Sequence, residues 1–148
     1  MRKTFNCISL FLLFSFLSCG IAFAAPSQYR KLFREDGYDM YVDTKTIVQG
    51  KGVTSFWIKS VYSEEAKQSV RKSLPKNLKN AKIDYEMNYF QYDSKKNKFN
   101  IKMSSVYSGN KEIFRDGDKK WYPLNEGTVA KMVWQKMEEY FKAIKEEG

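Results

Sequence analysis

Along the middle of the chain apolar and polar residues alternate with a period of two, the pattern of strands that bury one face and wet the other. From Thr54 to Tyr62, the residues Phe56, Ile58 and Tyr62 share a face with Ser60, while Trp57, Lys59 and Val61 take the other. From Ile83 to Asp93, the residues Ile83, Tyr85, Met87 and Tyr89 make the apolar side and Asp84, Glu86 and Asn88 the polar side. The next run sets Phe99, Ile101, Met103 and Tyr107 opposite Asn100, Lys102 and Ser104. Between these two runs lies Ser94-Lys95-Lys96-Asn97, a polar tetrapeptide suited to a hairpin loop, so they are expected to form one long β-hairpin. Shorter strands fit around it. Tyr29 to Arg34 and Tyr38 to Val42 flank the Asp36-Gly37 turn, Gly50-Lys51-Gly52 turns into the Trp57 strand, and Gly109-Asn110 turns into Glu112 to Arg115.

The period changes twice. After Gly127-Thr128, the residues Val129, Met132, Val133, Met137, Tyr140, Phe141 and Ile144 recur at spacings of three and four, which predicts an amphipathic C-terminal helix. Thr128 is its expected N-cap and Gly148 its stop. The other change is Ser63 to Lys82, where Glu64 and Glu65 come first and Lys67, Arg71, Lys72, Lys76, Lys79 and Lys82 follow. Acids before bases suit the dipole of a short helix, which Leu74-Pro75 ends. The predicted class is α+β: an antiparallel meander of about six strands with the C-terminal helix packed on one face, since an uncovered apolar sheet face is unstable in water.

The first residues have a different character. Met1-Arg2-Lys3 precedes an apolar run from Cys7 to Leu17, and small residues follow up to Ala22-Phe23-Ala24 before Ala25-Pro26. A charged start, an apolar stretch and an A-x-A site in that order read as a secretory signal peptide over residues 1–24, leaving 25–148 as a single exported domain. A membrane anchor would need about 20 apolar residues, and this stretch is shorter and broken by Ser9, Ser15, Ser18 and Gly20. Leu17-Ser18-Cys19-Gly20 is a poor match to a lipoprotein box, which makes anchoring at Cys19 the lesser alternative. Both cysteines, Cys7 and Cys19, fall within the leader, so the exported domain has no internal disulfide and is stabilised by its core.

Charge and missing residue types narrow the function. The formal net charge is +9, of which Arg2 and Lys3 account for two, leaving +7 on residues 25–148. A basic exported surface favours anionic partners, such as lipid headgroups of an anionic envelope surface, glycans or acidic proteins, although a lysine-rich solvated face reads the same way. Nucleic acid is not expected, because no groove-reading motif is present. The chain has no histidine, so a Ser-His or Cys-His nucleophile pair is excluded. No phosphate loop or dinucleotide fingerprint occurs, and no cofactor or metal is expected. Asp84 and Glu86 stand two apart on a polar strand face, and Asp116-Gly117-Asp118 lacks the further acids of a calcium loop; both read as structural. The chain is therefore expected not to be an enzyme.

Aromatic residues make up 16% of the chain, and tyrosine and tryptophan carry binding energy at interfaces. Trp57, Tyr92, Trp121 and Tyr122 are the candidates. The first two are expected on the face opposite the main apolar one, and the last two follow a turn. Core packing is the alternative for each of them. Lys67, Arg71, Lys72, Lys76 and Lys79 are a second candidate partner-binding patch, with a solvated excursion as the alternative.

Taken in order, the signal peptide, Tyr38-Asp39-Met40-Tyr41-Val42-Asp43, Phe56-Trp57-Ile58 and Asn88-Tyr89-Phe90-Gln91-Tyr92-Asp93 make a recognisable series. It continues through Ser105-Val106-Tyr107-Ser108-Gly109 and Trp121-Tyr122-Pro123 to the helix from Gly127-Thr128-Val129. The series resembles the bacterial surface-adhesin protein E family over nearly the whole exported part. The resemblance implies a small antiparallel sheet with a C-terminal helix on its concave face, in a surface or periplasmic protein. It also implies adhesion to host matrix and serum proteins such as vitronectin, laminin and plasminogen, and a capacity to form homodimers. Two departures stand out: family members tether helix to sheet by a disulfide where this chain has Ser94 and Met137-Glu138, and the Ser63 to Lys82 excursion is longer than the family's connection. The expected function is an exported, noncatalytic, adhesin-like binding domain, with a periplasmic or envelope-associated structural protein as the alternative.

Overall fold

The computed structural model describes residues 27–147, so the expected signal peptide and Cys19 lie outside the described residues. Among the described residues eight strands and two α-helices follow one another: β1 (Tyr29–Glu35), β2 (Tyr38–Asp43), β3 (Val48–Gly50), β4 (Val53–Tyr62), α1 (Glu64–Ser73), β5 (Tyr85–Asp93), β6 (Lys98–Ser108), β7 (Lys111–Asp116), β8 (Tyr122–Pro123) and α2 (Val129–Glu147). The six longer strands lie in the order β1-β2-β4-β5-β6-β7, all antiparallel, which is the expected α+β meander. The period-two pattern did not reveal β3 and β8, which are too short to show alternation. Each completes the edge of a long strand: β3 pairs with Val53–Ser55 of β4 beyond the end of β2, and β8 pairs with Lys98 and Phe99 of β6 beyond the end of β7.

Both helices are capped by the residue that precedes them. The Ser63 side chain accepts from the Ala66 N–H and the Thr128 hydroxyl from the Lys131 N–H, so each satisfies a donor that the first helical turn leaves free. The same sheet face carries both helices. Under α2 lie Val42, Phe56, Ile58, Phe90 and Tyr92, packed on Val133, Trp134 and Met137. Under α1 and the short turn after it lie Ile83 and Val106, packed on Val70, Leu74 and Leu78. Apolar packing thus docks α2 in place of a covalent tether, with one buried hydrogen bond from the Tyr92 hydroxyl to the Ala130 carbonyl beside it.

Two expected faces are corrected here. On β5 the core side carries Glu86, Asn88, Phe90 and Tyr92, because Phe90 pairs with Phe56 and Asn88 with Ile58. The Tyr85-Met87-Tyr89 side, expected to be apolar and inward, points away from the helices. A run of alternating large side chains gives the phase of a strand, but both phases here carry aromatics, so the neighbouring strand decides. On β6 a bulge at Lys102 interrupts the register, pairing Ile101 with Phe90 but Met103 with Tyr89. The extra residue sends Ile101 and Met103 to opposite faces, although they are two apart.

The segment after β7 folds back over this bulge. A Cβ on Gly117 would stand 2.6 Å from the Lys102 carbonyl oxygen, so only glycine permits the approach. Buried Asn100 then holds the segment, donating from one amide nitrogen to the Asp118 carbonyl at 3.0 Å and to the Lys120 carbonyl.

Two phenols, Tyr92 in the core and the partly buried Tyr62, make stability depend on alkaline pH. Burial raises the Tyr92 phenol well above its ordinary value, and burial together with the Glu86 carboxylate does the same to Tyr62. Both stay neutral in the fold after the unfolded chain begins to ionise near pH 10, so their stability is complete below that pH and is lost above it. Each is expected to contribute a slope of about 1.4 kcal/mol per pH unit above about pH 10. Denaturant unfolding at several alkaline pH values checks this, and Tyr62→Phe is expected to remove one group's share of the slope.

Candidate binding face

The sheet face turned away from the helices is built by register. Trp57 stands opposite Tyr89, and Tyr89 opposite Met103 across the bulge. In neighbouring rows Tyr41 faces Lys59, Lys59 faces Met87, and Tyr85 faces Tyr107. All of these side chains are half-buried, each covered on its flanks by its neighbours and open above. Both helices pack on the opposite side, so among the described residues no helix covers this face.

The rings hold one another in place. Trp57 and Tyr89 meet at 5.2 Å between centroids with planes tilted by 39°, and the Tyr89 hydroxyl donates to the Ser55 hydroxyl at 3.0 Å. Tyr85 and Tyr107 stack at 4.8 Å with planes 10° apart. The Lys59 ammonium sits 4.3 Å from the Tyr85 ring centre and 5.1 Å from that of Tyr29, a cation held between two π-faces. The result is a rigid aromatic surface with a positive charge at its centre, so little side-chain freedom remains to be lost when a partner covers it.

The expected site residues are scattered over the molecule. Trp57 lies on the aromatic face, as its alternation indicated. Tyr92 does not: it is fully buried at the centre of the core, stacked on Phe56 at 5.6 Å and on Trp134 at 4.8 Å, with its hydroxyl donating to the Ala130 carbonyl at 2.9 Å. It therefore cannot contact a partner, and the reason is the inverted phase of β5. Lys67 and Arg71 are held by their own neighbourhood, Lys67 by Glu64 at 2.6 Å and Arg71 by the Ala81 carbonyl at 3.2 Å. Lys72, Lys76 and Lys79 are exposed on the helix-bearing side, across the sheet from Trp57. Trp121 and Tyr122 are 40% and 41% exposed at the β8 edge, where Tyr122 packs on Phe99 and donates to Asp118.

Tyr41, Lys59, Tyr85 and Tyr89 belong to the face and were not among the candidates. Their signal was the alternation itself, since a strand with large side chains on both sides has an aromatic face left over once the core is filled. No family model, curated protein or solved structure matches the chain.

Proposed function

We propose that the chain is an exported, noncatalytic binding domain, adhesin-like, that docks a protein partner on its aromatic sheet face. The observation that carries this reading is the Trp57–Tyr89–Met103 row beside Lys59, an apolar surface of interlocked rings without a helical cover. Patches of this kind mark interaction sites, and aromatic anchors dominate their energetics. The central ammonium and the net charge of +7 on residues 25–148 favour a partner that presents carboxylates among apolar side chains. The signal-like leader and the resemblance to the protein E family support host matrix and serum proteins as that partner.

Binding of the exported chain to immobilised vitronectin, laminin and plasminogen at physiological salt tests the reading. Trp57→Ala combined with Tyr89→Ala is expected to weaken binding at least about tenfold, as loss of interface anchors does, while circular dichroism shows the fold retained. Lys72→Glu with Lys76→Glu and Lys79→Glu, across the sheet, is expected to leave binding unchanged. Loss in the lysine variant and retention in the aromatic one would move the site to the basic excursion and overturn the proposal. Failure of all three proteins to bind, with recovery of the chain only among periplasmic envelope components, would favour a structural role there.

A further inference from the structure

On the helix-bearing side a polar strip separates the two apolar clusters, and it opens into a cavity of about 500 Å³ between β5, β6 and the segment that folds over the bulge. Glu86, Asn88 and Ser104 lie at its base, Phe99, Ile101 and Tyr122 form its apolar wall, and Asp116 and Asp118 stand with Gly117 at the rim. Its size falls within the range of small-ligand clefts.

Three properties of the lining point to a cation. First, the base is a carboxylate with no cationic partner: Glu86 accepts from the Tyr62 hydroxyl at 2.6 Å and from the Ser104 hydroxyl, both neutral. None of the ion pairs among the described residues involves Glu86, Asp116 or Asp118, although the chain carries 26 lysines and arginines. Second, Asn88 is 8% exposed and lines the cavity, and its side-chain amide enters no hydrogen bond within the protein among the described residues but opens to the cavity. Third, the carboxylates do not converge on a point: no group of three or more acidic, histidine or cysteine residues among the described ones could hold a metal ion. Negative charge spread along one wall and apolar surface along the other fit an organic cation with a hydrocarbon body.

We propose that this cavity binds a primary ammonium group carried on a short aliphatic stem. An ammonium donates three hydrogen bonds, and the Glu86 carboxylate and the Asn88 amide oxygen offer acceptors at the base. Each Glu86 oxygen already accepts from a hydroxyl and retains a second lone pair, so the two hydroxyls orient the carboxylate without saturating it. Phe99, Ile101 and the Tyr122 ring then enclose the stem. The site lies on the opposite side of the sheet from the aromatic face and does not depend on it.

The test is titration calorimetry of the exported chain at low ionic strength with two probes, 1,5-diaminopentane and Nα-acetyl-lysine methyl ester, and tetramethylammonium as control. The expected result is saturable binding of at least one primary amine, with the Asn88 side-chain amide resonances shifting in parallel in the ¹⁵N spectrum. Asp116→Asn at the exposed rim, a change that spares the core, is expected to weaken binding a few-fold, and Glu86→Gln at least about tenfold, the size of one lost charge-assisted contact. Binding of the diamine alone would identify a free amine as the natural ligand, and binding of the lysine ester alone a lysyl side chain. Absence of binding by both, or equal binding of tetramethylammonium, or affinity unchanged in both variants, would overturn the proposal.

Discussion

Tyr92→Ala is expected to lower the unfolding free energy by about 3–5 kcal/mol, the usual cost of removing a large aromatic from a core. The ring is fully buried and meets Phe56, Phe90, Phe99 and Trp134, so four strand and helix contacts lose their common partner at once. Its hydroxyl also reaches the Ala130 carbonyl in the first turn of α2, which ties the helix start to the sheet in a chain that has no disulfide to do so. Tyr92→Phe removes only this hydrogen bond and is expected to cost about 1 kcal/mol. A single domain of this size is stabilised by about 5–15 kcal/mol in total, so the alanine variant should be partly unfolded at modest temperature while the phenylalanine variant is not. Urea denaturation followed by circular dichroism separates the two, and equal midpoints would show that α2 is not docked through this ring.

A second large effect is expected at Asn100, which serves neither the apolar core nor the aromatic face. Its amide nitrogen donates to the Asp118 and Lys120 carbonyls, and with Gly117 it keeps the segment between β7 and β8 against β6. Asn100→Ala leaves two carbonyls without their donor and is expected to cost about 1–3 kcal/mol, with hydrogen exchange rising selectively over residues 116–123. Asn100→Asp is expected to be worse at neutral pH, because a buried carboxylate would face two carbonyl oxygens. Protonation turns that carboxylate into a donor, so the aspartate variant should gain stability relative to the wild type as pH falls from neutral toward about 4, the range of an unfolded aspartate. Because the same segment forms the rim of the cavity, both variants should also lose amine binding.

The aspartate comparison isolates a feature that alternation does not display. Asn100 reads as a polar residue on the wet side of β6, and its neighbours in sequence say nothing of carbonyls eighteen and twenty positions away. The same holds for Glu86. In sequence it is one of several acids on a polar strand side, whereas in the fold it lies on the core side of β5, between the hydroxyls of Tyr62 and Ser104. Tyr92 shows the converse error: an aromatic placed outside by a phase count is the centre of the core.

By itself the sequence determined the local structure. Six strands, their turns, the capped helices at Glu64 and Val129 and the meander order all follow from period, caps and turn residues, which act over a few neighbours. The tertiary structure alone decided which faces of β5 and β6 look inward. That choice depends on pairing register and on a single extra residue at Lys102, and a shift of one residue exchanges the two faces of a strand. The aromatic face and the cavity both follow from it, because each is made of side chains brought together across strands that are far apart in the chain.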